Sequence, residues 1–107
     1  MVKEKDKIVD AFVRAVRKSV SPCRIILFGS RAKKSAKEDS DYDFLLISPR
    51  FKKWEWERRS AEMYRLKRNI PAAMDIICLT PDEFERKQKE IGVIQEVVRE
   101  GIEIKAS

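Results

Sequence analysis

Residues 24–48, RIILFGSRAKKSAKEDSDYDFLLIS, decide how this chain reads. They open on RIILF at 24–28, a β-branched and aromatic run too short for a helix and closed by Gly29, which predicts a buried strand. They close on Phe44-Leu45-Leu46-Ile47, which predicts a second strand over residues 42–48, ended by Pro49. Between the two lie Gly29-Ser30, a predicted short helix over 30–34 and a polar loop over 35–40. Ten residues separate Ser30 from Asp41, and Asp41 and Asp43 stand at i and i+2 at the entrance to the second strand.

Carboxylates two apart on an extended segment point to one face, where they can grip one divalent cation or two. Their plainer reading is a polar strand entrance, with Asp39 and Ser40 as turn formers. Two acids facing one way repel each other unless a cation joins them, which disfavours mere decoration. A Gly-Ser turn that opens a helix offers N–H groups and a positive dipole end to a phosphate. Gly29 would let the backbone approach that phosphate, and Ser30 would hydrogen-bond it while also capping the helix. Arg31 either binds phosphate or is solvated. Metal beside polyphosphate describes a nucleotide-handling site. Asp75, the only charge in a third predicted strand at 73–79, is the natural third carboxylate.

Around this centre the chain alternates helix and strand. Ile8, Val9, Phe12, Val13, Val16 and Val20 recur at three- and four-residue steps and predict a helix over 3–20, stopped by Pro22. A second helix is expected over 52–69, with Trp56, Met63, Leu66 and Ile70 facing inward and Pro71 closing it. Thr80 as N-cap, Pro81 at the first position and acids at Asp82 and Glu83 predict a third helix, interrupted near Gly92 and ending at Glu100. Gly101 caps it, and residues 102–105 form a short edge strand. This order predicts an α/β sandwich with a small mixed sheet, one domain over residues 1–107 with a single modest core.

A net charge of +6 with 39% charged residues suggests a soluble protein with an anionic or acidic partner. The chain has no histidine, which removes His triads, His metal sites and imidazole acid–base chemistry and leaves carboxylates and lysines. Cys23 and Cys78 lie among apolar neighbours and read as small buried residues rather than a disulfide or metal site. Residues 1–7 are dominated by charge, so no signal peptide is expected, and no apolar run is long enough to span a bilayer. A cytoplasmic protein is the expectation. Residues 50–68 carry eight basic and three acidic residues, with Trp54, Trp56 and Tyr64 among them. That mixture suits nucleic acid or an acidic protein. A helix packed by its aromatics with a solvated basic face is favoured over a nucleic-acid surface.

Phe28-Gly29-Ser30-Arg31-Ala32, the ten-residue interval, Ser40-Asp41-Tyr42-Asp43 and the strand that follows resemble the signature of the DNA polymerase β-like nucleotidyltransferase superfamily. At this length the chain resembles its minimal nucleotidyltransferases, the MNT proteins, which often pair with a HEPN protein. The signature covers the 15 residues 29–43, and the element order matches over most of the chain. One position departs: Lys34 stands where many members carry glycine. The resemblance implies a polymerase β-like core, with Mg²⁺ on Asp41 and Asp43 and with Asp75 as a further metal ligand and base for the acceptor hydroxyl. It implies that Gly29 and Ser30, with Arg31 beside them, hold the phosphates of a nucleoside triphosphate. The expected reaction moves AMP from ATP to a hydroxyl, such as a tyrosine of a helical HEPN toxin bound in a hetero-oligomer. The alternatives are an MNT antitoxin that neutralises its partner by contact alone, and a small-molecule transferase, against which the lack of an acceptor domain counts.

Overall fold

A computed structural model of the chain describes residues 6–33 and 41–105. The first helix begins where Asp6 caps it: the carboxylate accepts from the N–H groups of Ile8 and Val9 at 2.9 and 3.2 Å, and α1 runs Lys7–Val20. The expected start at residue 3 is therefore too early, since Asp6 itself is extended; residues 3–5 lie outside the described part. Phe12, Val13, Val16 and Val20 form the buried stripe of α1.

Four strands follow, β1 (Arg24–Phe28), β2 (Tyr42–Ile47), β3 (Met74–Leu79) and β4 (Ile102–Ile104). They lie in the order β3-β2-β1-β4, with β1 antiparallel to both β2 and β4 and with β2 parallel to β3. The parallel pair needs a crossover, which α2 (Trp56–Leu66) supplies. On one face Ile25, Leu27, Phe44, Leu46, Ile76 and Cys78 meet α1 and α2, with Phe12 and Phe44 at 4.8 Å between ring centroids. On the other, Ile26, Leu45, Ile47 and Leu79 meet Phe84 of α3 (Pro81–Lys87) and Ile94 and Val97 of α4 (Val93–Glu100). A sheet covered on both faces explains why the central strands read as unbroken apolar runs rather than as alternations. The α/β sandwich and mixed sheet expected from the sequence are the fold observed.

The second helix is shorter than its periodicity suggested. Ser48 accepts from Arg50 N–H at 3.1 Å and opens a 3-10 segment over Pro49–Lys53 that drives Phe51 fully into the core. The helix restarts only after the extended Trp54 and Glu55. Within α2, Met63 faces inward as expected, but Trp56 is 51% exposed. Its place is taken by Arg59, only 7% exposed. Arg59 Nε donates to the carbonyls of Phe51 and Trp54 at 2.9 and 3.1 Å, and NH1 donates to Glu83 Oε1 at 2.6 Å and Cys78 O at 3.5 Å. A residue expected on the solvated basic face is thus an internal strut.

The C-terminal part holds two helices. Thr80 and Glu83 form a reciprocal capping box under α3, as the Thr-Pro-Asp-Glu sequence implied. The chain then turns to Gly92, whose φ of +151° favours glycine, before α4 starts. At the end of α4, Gly101 lies so close to β1 that a Cβ there would stand 2.6 Å from both Ile26 Cγ2 and Val97 O. That contact seats the C-terminal end of α4 beside the end of β1. Among the described residues no helix is long and apolar enough to cross a membrane. Cys23 is half-buried and Cys78 buried, both are free thiols, and burial pushes each up to about 12.

Candidate active site

Because β1 runs against β2 while β2 and β3 run together, the last residue of β1 and the first residues of β2 and β3 reach the same end of the sheet. Asp43 sits there between two strands, paired across the ladder with Phe28 on one side and Asp75 on the other. Alternation along β2 sends Tyr42 and Phe44 into the α1/α2 core and Asp43 to the α3/α4 face, which also carries Ile77 and Leu79 beyond Asp75. Asp41 and Asp75 are exposed and Asp43 is half-buried. Burial first, then the charge of Asp75 and a hydrogen bond with it, then the charge of Asp41, hold the Asp43 carboxyl above the usual carboxylate range. Two acids, one two residues away in the chain and one beyond the helical crossover, thus act on Asp43 in space.

Gly29 closes the floor beneath them. Its φ is +74°, and a Cβ built on it would lie 2.1 Å from Asp43 Oδ2, so glycine is required both by the backbone and by the carboxylate pressed against it. In Gly29→Ala the left-handed conformation costs about 1–2 kcal/mol and Asp43 must swing away. The expected result is a folded protein whose Mn²⁺-dependent nucleotide affinity falls about 10–100-fold. Calorimetry at matched protein stability checks it, and unchanged affinity would remove Gly29 from the site.

The turn after β1 differs from expectation. Where the sequence predicts a helix over 30–34, the described residues 30–33 form no α-helix: Gly29–Arg31 make a single 3-10 turn, with the N–H groups of Ala32 and Lys33 both donating to Gly29 O at 3.1 and 3.3 Å. So short a turn builds up little dipole, and a hold on an anion here must come from local N–H groups, the Ser30 hydroxyl and nearby cations. Arg31 is neither free in solvent nor aimed outward: its guanidinium lies 4.1 Å from the centroid of the Tyr42 ring. Tyr42 in turn hydrogen-bonds the Asp6 carboxylate, at 2.9 Å to Oδ2 and 3.2 Å to Oδ1, joining the turn to the cap of α1. Lys33 extends across to Glu100 at the end of α4, 2.6 Å away. Lys34 and the loop 35–40 lie outside the described residues. The sequence marked neither Tyr42 nor Lys33; Asp6 ahead of an amphipathic run is a cap signal that could have tied Tyr42 to the helix start.

The donors at this end are all carboxylate oxygens, a hard set suited to Mg²⁺ or Mn²⁺ rather than to thiolate- or imidazole-seeking metals. Among the described residues no three acidic or cysteine side chains stand together closely enough to cage a metal ion. What the fold sets side by side is the Asp43–Asp75 pair of the β2–β3 ladder, with the charge of Asp41 also felt at Asp43. An open pair that leaves coordination positions vacant fits a Mg²⁺ shared with substrate phosphates better than it fits a closed structural site. A cavity of about 530 Å³ lies at the opposite end of the sheet, between Cys23, Ile47 and Phe84, and has no part in this arrangement.

Residues 9–106 match the sequence model of a family described as a nucleotidyltransferase domain. Solved structures share the fold. One, a Sulfolobus solfataricus protein provisionally assigned as a nucleotidyltransferase, is 19% identical with a TM-score of 0.57, over 96% of this chain and 90% of that one. Another, also provisionally assigned as a nucleotidyltransferase, is 18% identical with a TM-score of 0.60, over 91% of this chain and 97% of that one. At such identities the likeness is one of fold. No curated protein matches the chain.

Proposed function

Since the chain belongs to the nucleotidyltransferase domain family, we propose that it is a Mg²⁺-dependent enzyme that transfers a nucleoside monophosphate, AMP from ATP, to a hydroxyl acceptor. The observation that carries this reading is Asp43, pressed on the Gly29 backbone and set directly opposite Asp75 in the parallel ladder. Asp41, Asp43 and Asp75 would hold the cation, which when bound neutralises charge on the phosphates and on the departing pyrophosphate. Gly29 and Ser30 would receive the phosphates against the turn, with Lys33 as the nearby exposed cation. Arg31, stacked on Tyr42, would act by keeping that turn in place. Asp75, exposed on the outermost strand, would accept the proton of the attacking hydroxyl. Positioning and charge neutralisation then supply most of the acceleration.

The carboxylates stand on an open shelf at the end of the sheet, an arrangement suited to an acceptor carried by another macromolecule. We infer a helical HEPN-type protein as that partner, in a cytoplasmic hetero-oligomer, with a tyrosine as acceptor. The exposed Arg58 and Arg65, which flank Glu62 at 3.5 and 3.9 Å, would face its acidic surface. Calorimetry and mass spectrometry test the whole. ATP is expected to bind only with Mg²⁺ or Mn²⁺, and the co-expressed partner should gain the mass of one or more AMP units. Equal ATP binding in chelator overturns the metal reading, and an unmodified partner overturns the acceptor.

A further inference from the structure

Asp75 belongs to β3, which among the described residues has a neighbouring strand on one side only. Its ladder to β2 uses alternate residues: Ala73 O accepts from Tyr42 N–H, and Leu79 O accepts from Ser48 N–H. The alternation turns the N–H and C=O groups of Met74, Ile76 and Cys78 outward, away from β2. A strand tied on one side frays first at its end, and Asp75 is its second residue. There the hydroxyl of Tyr64, from the last turn of α2, stands in for the missing neighbour. It donates to Met74 O at 3.1 Å and accepts from Ile76 N–H at 3.2 Å. These groups belong to the residues on either side of Asp75, so one side chain brackets it. The Tyr64 ring is 39% exposed, and phenylalanine would cover the same apolar area. Only the hydroxyl accounts for tyrosine at this position.

We propose that Tyr64 is a positioning residue, whose hydroxyl pins the outer edge of β3 and so holds the Asp75 carboxylate in register with Asp43. The proposal rests on the reading of Asp75 as a site residue. It acts through the backbone and touches neither phosphate nor acceptor. Tyr64→Phe is expected to lower the affinity for Mn²⁺, measured with a non-hydrolysable ATP analogue present, about fivefold, the worth of a lost hydrogen bond. The Ile76 amide, which faces away from β2 and donates to the Tyr64 hydroxyl, should be protected from exchange in the wild-type chain and exchange faster in the variant. Val16→Ala, a cavity in the distant α1 core, should cost more stability and leave Mn²⁺ affinity unchanged. If Asp75→Asn weakens Mn²⁺ binding and Tyr64→Phe does not, the proposal is overturned while the site reading stands. If Asp75→Asn has no effect, Asp75 leaves the site and the proposal goes with it. An Ile76 amide that exchanges at the unprotected rate in the wild-type chain overturns it whatever the variant does.

Discussion

Asp43→Asn should lower nucleotide transfer about a thousandfold, the upper end for losing one group aimed at developing charge, and should at the same time raise the melting temperature of the metal-free protein. Both effects have one cause. Asp43 is held against the Gly29 backbone and against Asp75, where a cation would need it ionised and where, without a cation, ionisation is opposed by burial and by its neighbours. The sign follows from the raised carboxyl. The folded state binds the proton more tightly than the unfolded chain, so this group's stabilising contribution is complete below the ordinary value of 3.8 and is lost as pH rises through the raised one. At neutral pH the ionised form therefore opposes folding, and asparagine relieves it, the trade between stability and activity met at many functional sites. In EDTA the gain in melting temperature of the variant over the wild type should be small below the ordinary value of 3.8 and grow as pH rises through the raised one. A variant that melts lower than the wild type at neutral pH in EDTA would show that the pair is not repulsive. Asp75→Asn should cost about a hundredfold in transfer, the lower end for acid–base groups, with a smaller loss of nucleotide binding.

Arg59→Ala should destabilise the fold by about 3 kcal/mol, toward the lower end for breaking a buried ion pair because Glu83 keeps partial solvent contact. For a domain of this size that corresponds to a fall in Tm of more than about 10 °C. The substitution leaves the Glu83 carboxylate facing a void and strips donors from the carbonyls of Phe51, Trp54 and Cys78. Arg59→Lys should recover little, since an ammonium cannot span carbonyls and a carboxylate lying in different directions. An acid signature accompanies the pair. Burial tends to raise the Glu83 carboxyl, but the Arg59 hydrogen bond, the Thr80 N–H and the Arg59 charge together bring it below its ordinary 4.5. A lowered carboxyl contributes stability that is complete above that ordinary value and is lost as pH falls through the lower folded one. Urea titrations from about pH 6 down to about pH 3 should therefore show a smaller stability loss in Glu83→Gln than in the wild type, the difference being the share of this pair. If Arg59→Ala unfolds at the wild-type urea midpoint, the strut is decorative and Arg59 returns to the surface charge available to a partner.

The strands and the carboxylate pair were legible in the sequence because each rests on local order, whereas the single core expected from the length is two clusters, one on each face of the sheet. RIILF and FLLI are apolar without alternation, which a strand covered on both faces demands; Thr80-Pro81-Asp82-Glu83 writes out its own helix cap; Asp41 and Asp43 share a face through the two-residue repeat of an extended chain. Asp75 stood out as a lone charge in an apolar run and was grouped with Asp41 and Asp43, but its place in the ladder was not legible. Only the parallel register of β2 with β3 sets it opposite Asp43.

Where a residue's role depended on a neighbour distant in the chain, periodicity pointed elsewhere. Helical spacing put Trp56 inside and Arg59 outside. The fold reverses them because Phe51 enters the core first, breaks the helix and leaves open carbonyls that a guanidinium can satisfy and an indole cannot. Arg31 read as phosphate-bound or solvated, and instead lies on Tyr42, which α1 holds through Asp6. Tyr64 read as one aromatic among charges until the free edge of β3 gave its hydroxyl two partners. The sequence by itself determined the fold class and the family and marked the candidate site residues, since these depend on residue type and short spacing. The tertiary structure alone decided which carboxylate is crowded, which arginine is buried and what braces the edge, since hydrogen-bond satisfaction and burial depend on which strands and helices come to lie side by side.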